Sequence, residues 1–85
     1  MEKSPEIKEG QVVLLRADSS TGHVLDELFN LAIGDNQKVY TIFNTIQEAL
    51  DAGNKILNEK DKLVECLIYG KNEKAIYHLN PYQIK

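Results

Sequence analysis

The residues of this chain that could take part in chemistry are few and lie far apart in the sequence. A metal site needs several His, Cys or carboxylate ligands that converge on one point. The chain offers His23, His78 and a single cysteine, Cys66, with no ligand-like spacing between any two of them. We therefore interpret the histidines as surface residues and Cys66 as a small apolar side chain of the core. We expect no metal and no cofactor.

The nucleophilic pair that the sequence could form is Cys66 with His78, since a reactive thiolate needs a nearby base. The two side chains would be neighbours only if their strands paired in the right register. Cys66, however, lies in the middle of a predicted strand and faces the same way as Val64 and Ile68. Burial at such a position raises the pKa of a thiol and hides it from a substrate. We predict no catalytic residues and a protein that is not an enzyme.

The segment Ser19–His23 is the loop best suited to contact a ligand, because it is polar and carries a histidine. It supports an alternative function, a ligand-binding or enzyme-accessory subunit whose pocket lies near residues 19–23 and beside His78. The turn at Gly70–Asn72 contains one glycine, whereas a phosphate-binding loop uses several glycines that open a helix. The adjacent acids Asp26 and Glu27 are typical of a solvated surface.

A helix that would position these residues is predicted over residues 46–59. Thr45 and Glu48 form a capping box, in which a hydroxyl and a carboxylate each satisfy a free amide at the helix start. Gly53 falls on the apolar side of this helix, where we expect close approach of the sheet backbone. The other apolar positions have the spacing of one buried stripe. They are Ile46, Ala49, Leu50, Ile56 and Leu57.

Strands are predicted at four apolar or β-branched runs that are bounded by turn residues. Segment 22–33 admits two further interpretations. As a strand, it would form a hairpin with residues 39–43 across a turn at Gly34–Gln37. As a helix, it would end at Gly34 in a left-handed C-cap. The four runs are Val12–Leu15, Val39–Phe43, Leu63–Tyr69 and Ala75–Leu79.

The hairpin interpretation is the one we favour, and it predicts an α+β fold. A small antiparallel sheet would carry the 46–59 helix on one face, in the order β-β-β-α-β-β. The helical interpretation gives the order β-α-β-α-β-β, with a second helix at 22–33. A chain of 85 residues forms one domain. We assign that domain to residues 11–80, between a flexible N-terminal arm at 1–10 and a C-terminal tail at 81–85.

Composition argues against several classes of function. The net charge is −3 and the chain has no basic block, whereas nucleic-acid binding needs a clustered basic surface. The longest aliphatic run, Val12–Leu15, is too short to cross a bilayer. The first residues lack the apolar core of a signal peptide, and a single cysteine cannot form an internal disulfide. We expect a cytoplasmic protein that binds neither nucleic acid nor membrane.

The strands alternate poorly between apolar and polar residues, and this feature carries the functional prediction. A sheet with one wet face shows a polar residue at every second position. In the strand at 63–69, Glu65 is the one charged residue, so both faces are apolar, and one helix covers only one of them. We therefore predict a protein-interaction or self-associating module, with a protein partner or a homodimer on the uncovered face. The predicted interface residues are Tyr40, Ile42, Leu67, Tyr69 and Tyr77.

Overall fold

A computed structural model describes residues 4–34, 36–71 and 75–83. The strands are β1 (Val12–Asp18), β2 (Val24–Leu25), β3 (Tyr40–Phe43), β4 (Val64–Tyr69) and β5 (Ala75–Leu79); the helix is α1 (Ile46–Glu59), and a 3-10 turn (Pro81–Gln83) follows β5. This order confirms the predicted α+β fold, β-β-β-α-β-β. The alternative with a helix at 22–33 is wrong, because that segment contains β2 and turns instead.

The sheet is antiparallel throughout and is built around β1. One side of β1 pairs with β4, which pairs in turn with β5. The other side pairs with β2 and β3, arranged end to end: Leu25 lies opposite Arg16, and Tyr40 lies opposite the next residue of β1, Leu15. β2 and β3 therefore act as one interrupted strand. We call the segment between them, residues 26–39, the excursion.

The predicted hairpin of segment 22–33 with β3 is wrong, because the strand in that segment, β2, pairs with β1. The carboxylate of Asp26 accepts hydrogen bonds from the amides of Leu28 and Asn30, both at 2.9 Å, and this folds the chain into a turn where a strand was expected. Phe29 has a φ of 67°, outside the extended region. Leu31 makes an isolated bridge to Leu25. The predicted turn at 34–37 includes a residue, 35, outside the described ranges.

The two ends of the excursion are tied to each other, and its middle contacts the helix end. The amide of Glu27 donates to the carbonyl of Lys38 at 2.9 Å, so the two ends lie side by side, as in a compact Ω-loop. Gln37 Nε2 donates to Asp26 Oδ2 at 2.7 Å. The ammonium of Lys60 lies 4.1 Å from the centre of the Phe29 ring, which connects the excursion to the end of α1.

The helix begins as predicted, because Thr45 Oγ1 accepts from the amide of Glu48 at 3.2 Å. Leu57 is buried, as expected, whereas Ile46, Leu50 and Ile56 are half-buried at the border of the core. Their partial exposure follows from a single helix lying on a wider sheet. The core between α1 and the sheet consists of Val12, Leu14, Ala49, Leu57, Cys66 and Ile68.

Gly53 marks the closest approach of α1 to the sheet. A Cβ atom at this position would lie 2.5 Å from Leu79 Cδ1 and 3.6 Å from Leu14 Cδ1. The prediction that the sheet backbone approaches here is therefore wrong in detail, because the nearest atoms belong to side chains. Any larger residue at this position would require the end of the Leu79 side chain to move.

Candidate functional site

The face of the sheet away from α1, which we call the open face, is defined by the register of its strands. Residues that pair across neighbouring strands project to the same face, so the register gives three cross-strand rows. The first row contains Ile42, Val13 and Tyr69; the second contains Tyr40, Leu15, Leu67 and His78; the third contains Val24, Ala17 and Glu65.

The first two rows form a continuous apolar surface with two tyrosines. Ile42, on the outer strand β3, is 44% exposed. Leu15, Leu67, Tyr40 and Tyr69 are half-buried, although no element of the described chain runs across them as α1 runs across the other face. A surface of this composition is typical of protein–protein contacts.

The charged groups of the open face form one corner in which they contact each other. His78 Nε2 lies 3.4 Å from Glu65 Oε1. Asn80 Nδ2 donates to the other oxygen, Glu65 Oε2, at 3.2 Å. The Glu65 side chain is only 14% exposed, and both of its oxygens meet partners within the chain. The corner is therefore polar, and its carboxylate is largely shielded from solvent.

Four of the five predicted interface residues lie on the open face, and Tyr77 does not. Tyr69 pairs with Ala75, and a regular ladder from there would place Tyr77 opposite Leu67. An irregularity between Ile68 and Tyr69 inserts one extra residue on β5, so Tyr77 pairs with Ile68 on the helix side. His78 takes the position beside Leu67. A shift of one residue moves a side chain to the opposite face of a sheet.

The two central residues of the open face, Val13 and Leu15, are not among the predicted interface residues. Both belong to the unbroken apolar run at the start of β1, where Val12 and Leu14 face the helix. A run that is apolar at every position already indicates a strand with two apolar faces. That signal was present in the sequence.

Cys66 and His78 are not brought together. Cys66 pairs with Leu79 and lies on the helix side, whereas His78 lies on the open face. Burial raises the pKa of the Cys66 thiol to about 11, although the positive charge of Arg16 acts in the opposite direction. The geometry therefore gives Cys66 no base and little thiolate at neutral pH.

Arg16 is a buried charge that the sequence analysis did not single out. It is 7% exposed and projects to the helix side, opposite Leu25 and Cys66. Its Nη2 donates to Thr41 Oγ1 at 2.6 Å, and that hydroxyl donates to Glu27 at 3.0 Å. Nη1 has no hydrogen-bond partner among the described residues. This chain of contacts joins β1 and β3 to the excursion, so its role is to hold the fold together.

The loop at residues 19–23 uses its polar groups to hold its own shape. Asp18 Oδ1 accepts from the amide and hydroxyl of Ser20, at 2.8 and 2.7 Å, and from the amide of Thr21 at 3.1 Å. These hydrogen bonds, those of Ser20 first, hold the pKa of Asp18 below 3.8. The Ser19 hydroxyl donates to the carbonyl of Lys62.

The two histidines of the predicted pocket lie in different surroundings. His23 is exposed and lines a shallow cleft of about 230 Å³ with Val24 and with residues 31–33 of the excursion. His78 contacts Glu65 on the open face. The ligand-binding alternative stays a prediction, and the structure gives it a shallow cleft beside His23 alone.

The described residues contain no group of three or more His, Cys, Asp or Glu side chains that could hold a metal ion. Within the same residues, neither α1 nor any other helix has the length and hydropathy needed to span a bilayer. Comparison of the chain with protein-family models, with curated proteins and with solved structures found no match.

Proposed function

We propose that this protein is a self-associating module and that the open face is the contact between two copies of the chain. The observation that carries the proposal is the pair of apolar rows that crosses β3, β1 and β4 without a charged residue. Contiguous apolar surface with tyrosines on a sheet face is a common feature of protein–protein contacts. The hydrophobic effect would supply the driving force, and Tyr40 and Tyr69 would add contact area at a low cost in conformational entropy.

The size of the surface predicts a weak complex. Neighbouring strands are about 4.8 Å apart and residues rise about 3.3 Å along a strand, so three rows over four strands span roughly 14 by 13 Å. A stable interface buries about 800 Å² on each partner, which is more than such a patch provides. We therefore expect a reversible dimer with a dissociation constant in the micromolar range.

A second copy fits the face because the carboxylate there is largely shielded within the chain. The Glu65 side chain is 14% exposed and contacts His78 and Asn80, which limits the repulsion between two open faces. A two-fold contact also places the same apolar rows on both partners, which is the usual arrangement of homodimers. A partner of a different sequence is the competing occupant.

Sedimentation equilibrium from low to high micromolar concentration tests the proposal, with Ile42→Glu as the disrupting variant. Ile42 lies on the open face and is already 44% exposed, so a glutamate there is tolerated by the monomer but opposes the contact. The control is Ile33→Glu, the same substitution at a residue of the excursion that is 88% exposed. We expect wild type and Ile33→Glu to dimerise and Ile42→Glu to stay monomeric.

Two results contradict the proposal. A wild type that is monomeric over the whole range excludes self-association as the role of the face. Equal dimerisation of all three proteins shows that the contact lies elsewhere. Thermal unfolding of each variant at low concentration establishes that the monomer is folded.

A further inference from the structure

We infer that residues 4–7 act as an intramolecular cover of the open face and compete with the second copy for it. The inference rests on the proposed function, and it assigns to the same surface a means of regulation. Its starting point is Val13, which lies at the centre of the first row and is only 1% exposed. Its row neighbours, Ile42 and Tyr69, remain more accessible.

The segment Ser4–Ile7 lies against this end of the open face. It forms one wall of a cleft of about 270 Å³, and the opposite wall consists of Val13, Tyr69 and the two residues that follow β4, Gly70 and Lys71. Pro5 and Ile7, its two apolar side chains, are half-buried, whereas Ser4 and Glu6 are exposed. The apolar side chains of the segment are therefore the ones that lose contact with water.

A turn at residues 8–11 directs the chain between the cover and β1. The amide of Gln11 donates to the carbonyl of Lys8 at 3.0 Å, and the amide of Lys8 donates to Gln11 Oε1 at 2.8 Å. Gly10 has a φ of 87°, a conformation that glycine adopts without strain. An ion pair of 3.9 Å joins Glu9, in this turn, to Lys71, which also lines the cleft. Both of its side chains are more than half exposed, so this pair contributes little to the stability of the contact.

The contact between cover and face is small, and this makes it a suitable competitor. Within the segment, two half-buried side chains face the sheet, and the nearby ion pair belongs to the turn that follows, whereas the second copy offers two apolar rows. A binding surface that is free for only part of the time has an apparent affinity reduced by that fraction. The cover would therefore occupy the open face at low protein concentration. At high concentration, the open face of a second copy would displace it.

The association test uses Ile7→Ser, which removes the larger apolar side chain of the cover. The control is Ile33→Ser, the same substitution on the exposed excursion. We expect the association constant of Ile7→Ser to rise about threefold to tenfold over wild type, and that of Ile33→Ser to be unchanged. An unchanged constant for Ile7→Ser overturns the competition. A lower constant overturns it as well, because the segment would then join the two copies.

A second measurement locates the cover without reference to association. A spin label on Ser4→Cys should broaden the amide signals of Val13, Tyr69 and Gly70 strongly in a dilute sample, and that of Ala17, about 13 Å further along β1, clearly less. Wild type carried through the same labelling reaction is the control for Cys66, which is buried. Mixing labelled protein with unlabelled, isotope-enriched protein identifies any contribution between molecules.

The two measurements separate the possible failures. Broadening of the Val13 and Tyr69 signals of the first row, without association of any variant, overturns the proposed function. The competition between cover and second copy is then excluded as well. Association of wild type without broadening overturns the cover alone and leaves the proposed function in place. Broadening together with stronger association of Ile7→Ser supports both.

Discussion

Leu25 and Tyr40 occupy consecutive positions along one side of β1, opposite Arg16 and Leu15, although the whole excursion separates them in sequence. The sheet therefore obtains one strand from two segments, and the excursion leaves and rejoins it at neighbouring positions. The mouth of the excursion is closed by the hydrogen bond between Glu27 and Lys38. The open face extends past this junction, since Val24 and Tyr40 both belong to it.

The first prediction concerns Asp26, whose carboxylate organises the excursion. Hydrogen bonds from the amide of Asn30 and the side chain of Gln37, the largest of several, hold the pKa of Asp26 below 3.8. A folded-state pKa below the unfolded value means that the unfolded chain binds more protons in this range. The resulting stability is complete above 3.8 and is lost as the pH falls through the folded-state pKa.

Urea unfolding from neutral pH to below 3.8 measures this contribution. We expect Asp26→Asn to be less stable than wild type at neutral pH and to lose less of its stability on acidification. The control is Asp51→Asn, on an exposed position of α1, for which we expect the acid dependence of wild type. Identical acid dependence of Asp26→Asn and wild type would contradict the role given to Asp26.

The second prediction concerns the contact between Gly53 and Leu79. Alanine favours a helix over glycine by about 1 kcal/mol, but its Cβ would lie 2.5 Å from Leu79 Cδ1. Crowding of a packed core costs about 1–3 kcal/mol. We expect Gly53→Ala to lower the free energy of unfolding of wild type by about 1 kcal/mol and to raise that of Leu79→Ala by a similar amount.

Chemical denaturation of the four proteins in this double-mutant cycle gives the coupling between the two sites. Equal effects of Gly53→Ala in both backgrounds would show that Leu79 is not what requires a glycine in α1. The pair Asn54→Gly and Asn54→Ala, at an exposed helical position, reports the effect of replacing glycine by alanine through propensity alone.

The third prediction concerns the reactivity of Cys66. Burial raises the pKa of its thiol from 9.0 to about 11, which lowers the thiolate fraction at neutral pH about 100-fold. Its 0% exposure adds a steric barrier. In a Ser4→Cys variant, we expect a disulfide reagent at neutral pH to modify the new cysteine at least about 100-fold faster than Cys66. Comparable rates would show that Cys66 is accessible.

The helix and most of the strands could be predicted from the sequence because their signals are local. Thr45 and Glu48 mark the start of α1 within four residues, and the apolar stripe defines its buried side. β1 and β4 are likewise read from continuous apolar runs. Their bounds differ from the prediction by one residue at the start of β4 and by the added residues Arg16–Asp18 at the end of β1.

The interrupted strand could not be predicted, because its cause is not local. Leu31 and Ile33 alternate like a strand, yet Asp26 accepts hydrogen bonds from residues up to Gln37 and turns the chain away. As a result, the side chain of Ile33 is 88% exposed to solvent. The alternation of apolar and polar residues would predict that this side chain is buried.

The open face was predictable in kind and not in every residue. Apolar residues on both sides of β4 indicated a second apolar face. His78, and not Tyr77, lies beside Leu67 on the open face because of the extra residue on β5 opposite Ile68 and Tyr69. Such an irregularity arises from strand pairing and leaves no local signal in the sequence. The contact of residues 4–7 with the first row likewise depends on the turn at Gly10, which returns the chain across the sheet.

The most direct test of self-association through the open face is an isotope-filtered NOE experiment on a mixture of labelled and unlabelled protein at high concentration. Only contacts between two copies give signals in such a mixture. We predict intermolecular NOEs from the methyl groups of Ile42, Leu15 and Leu67 to the ring protons of Tyr40 and Tyr69. Intermolecular NOEs from Leu28 and Ile33 of the excursion instead, or none at a concentration where the methyl signals are fully resolved, would contradict the account.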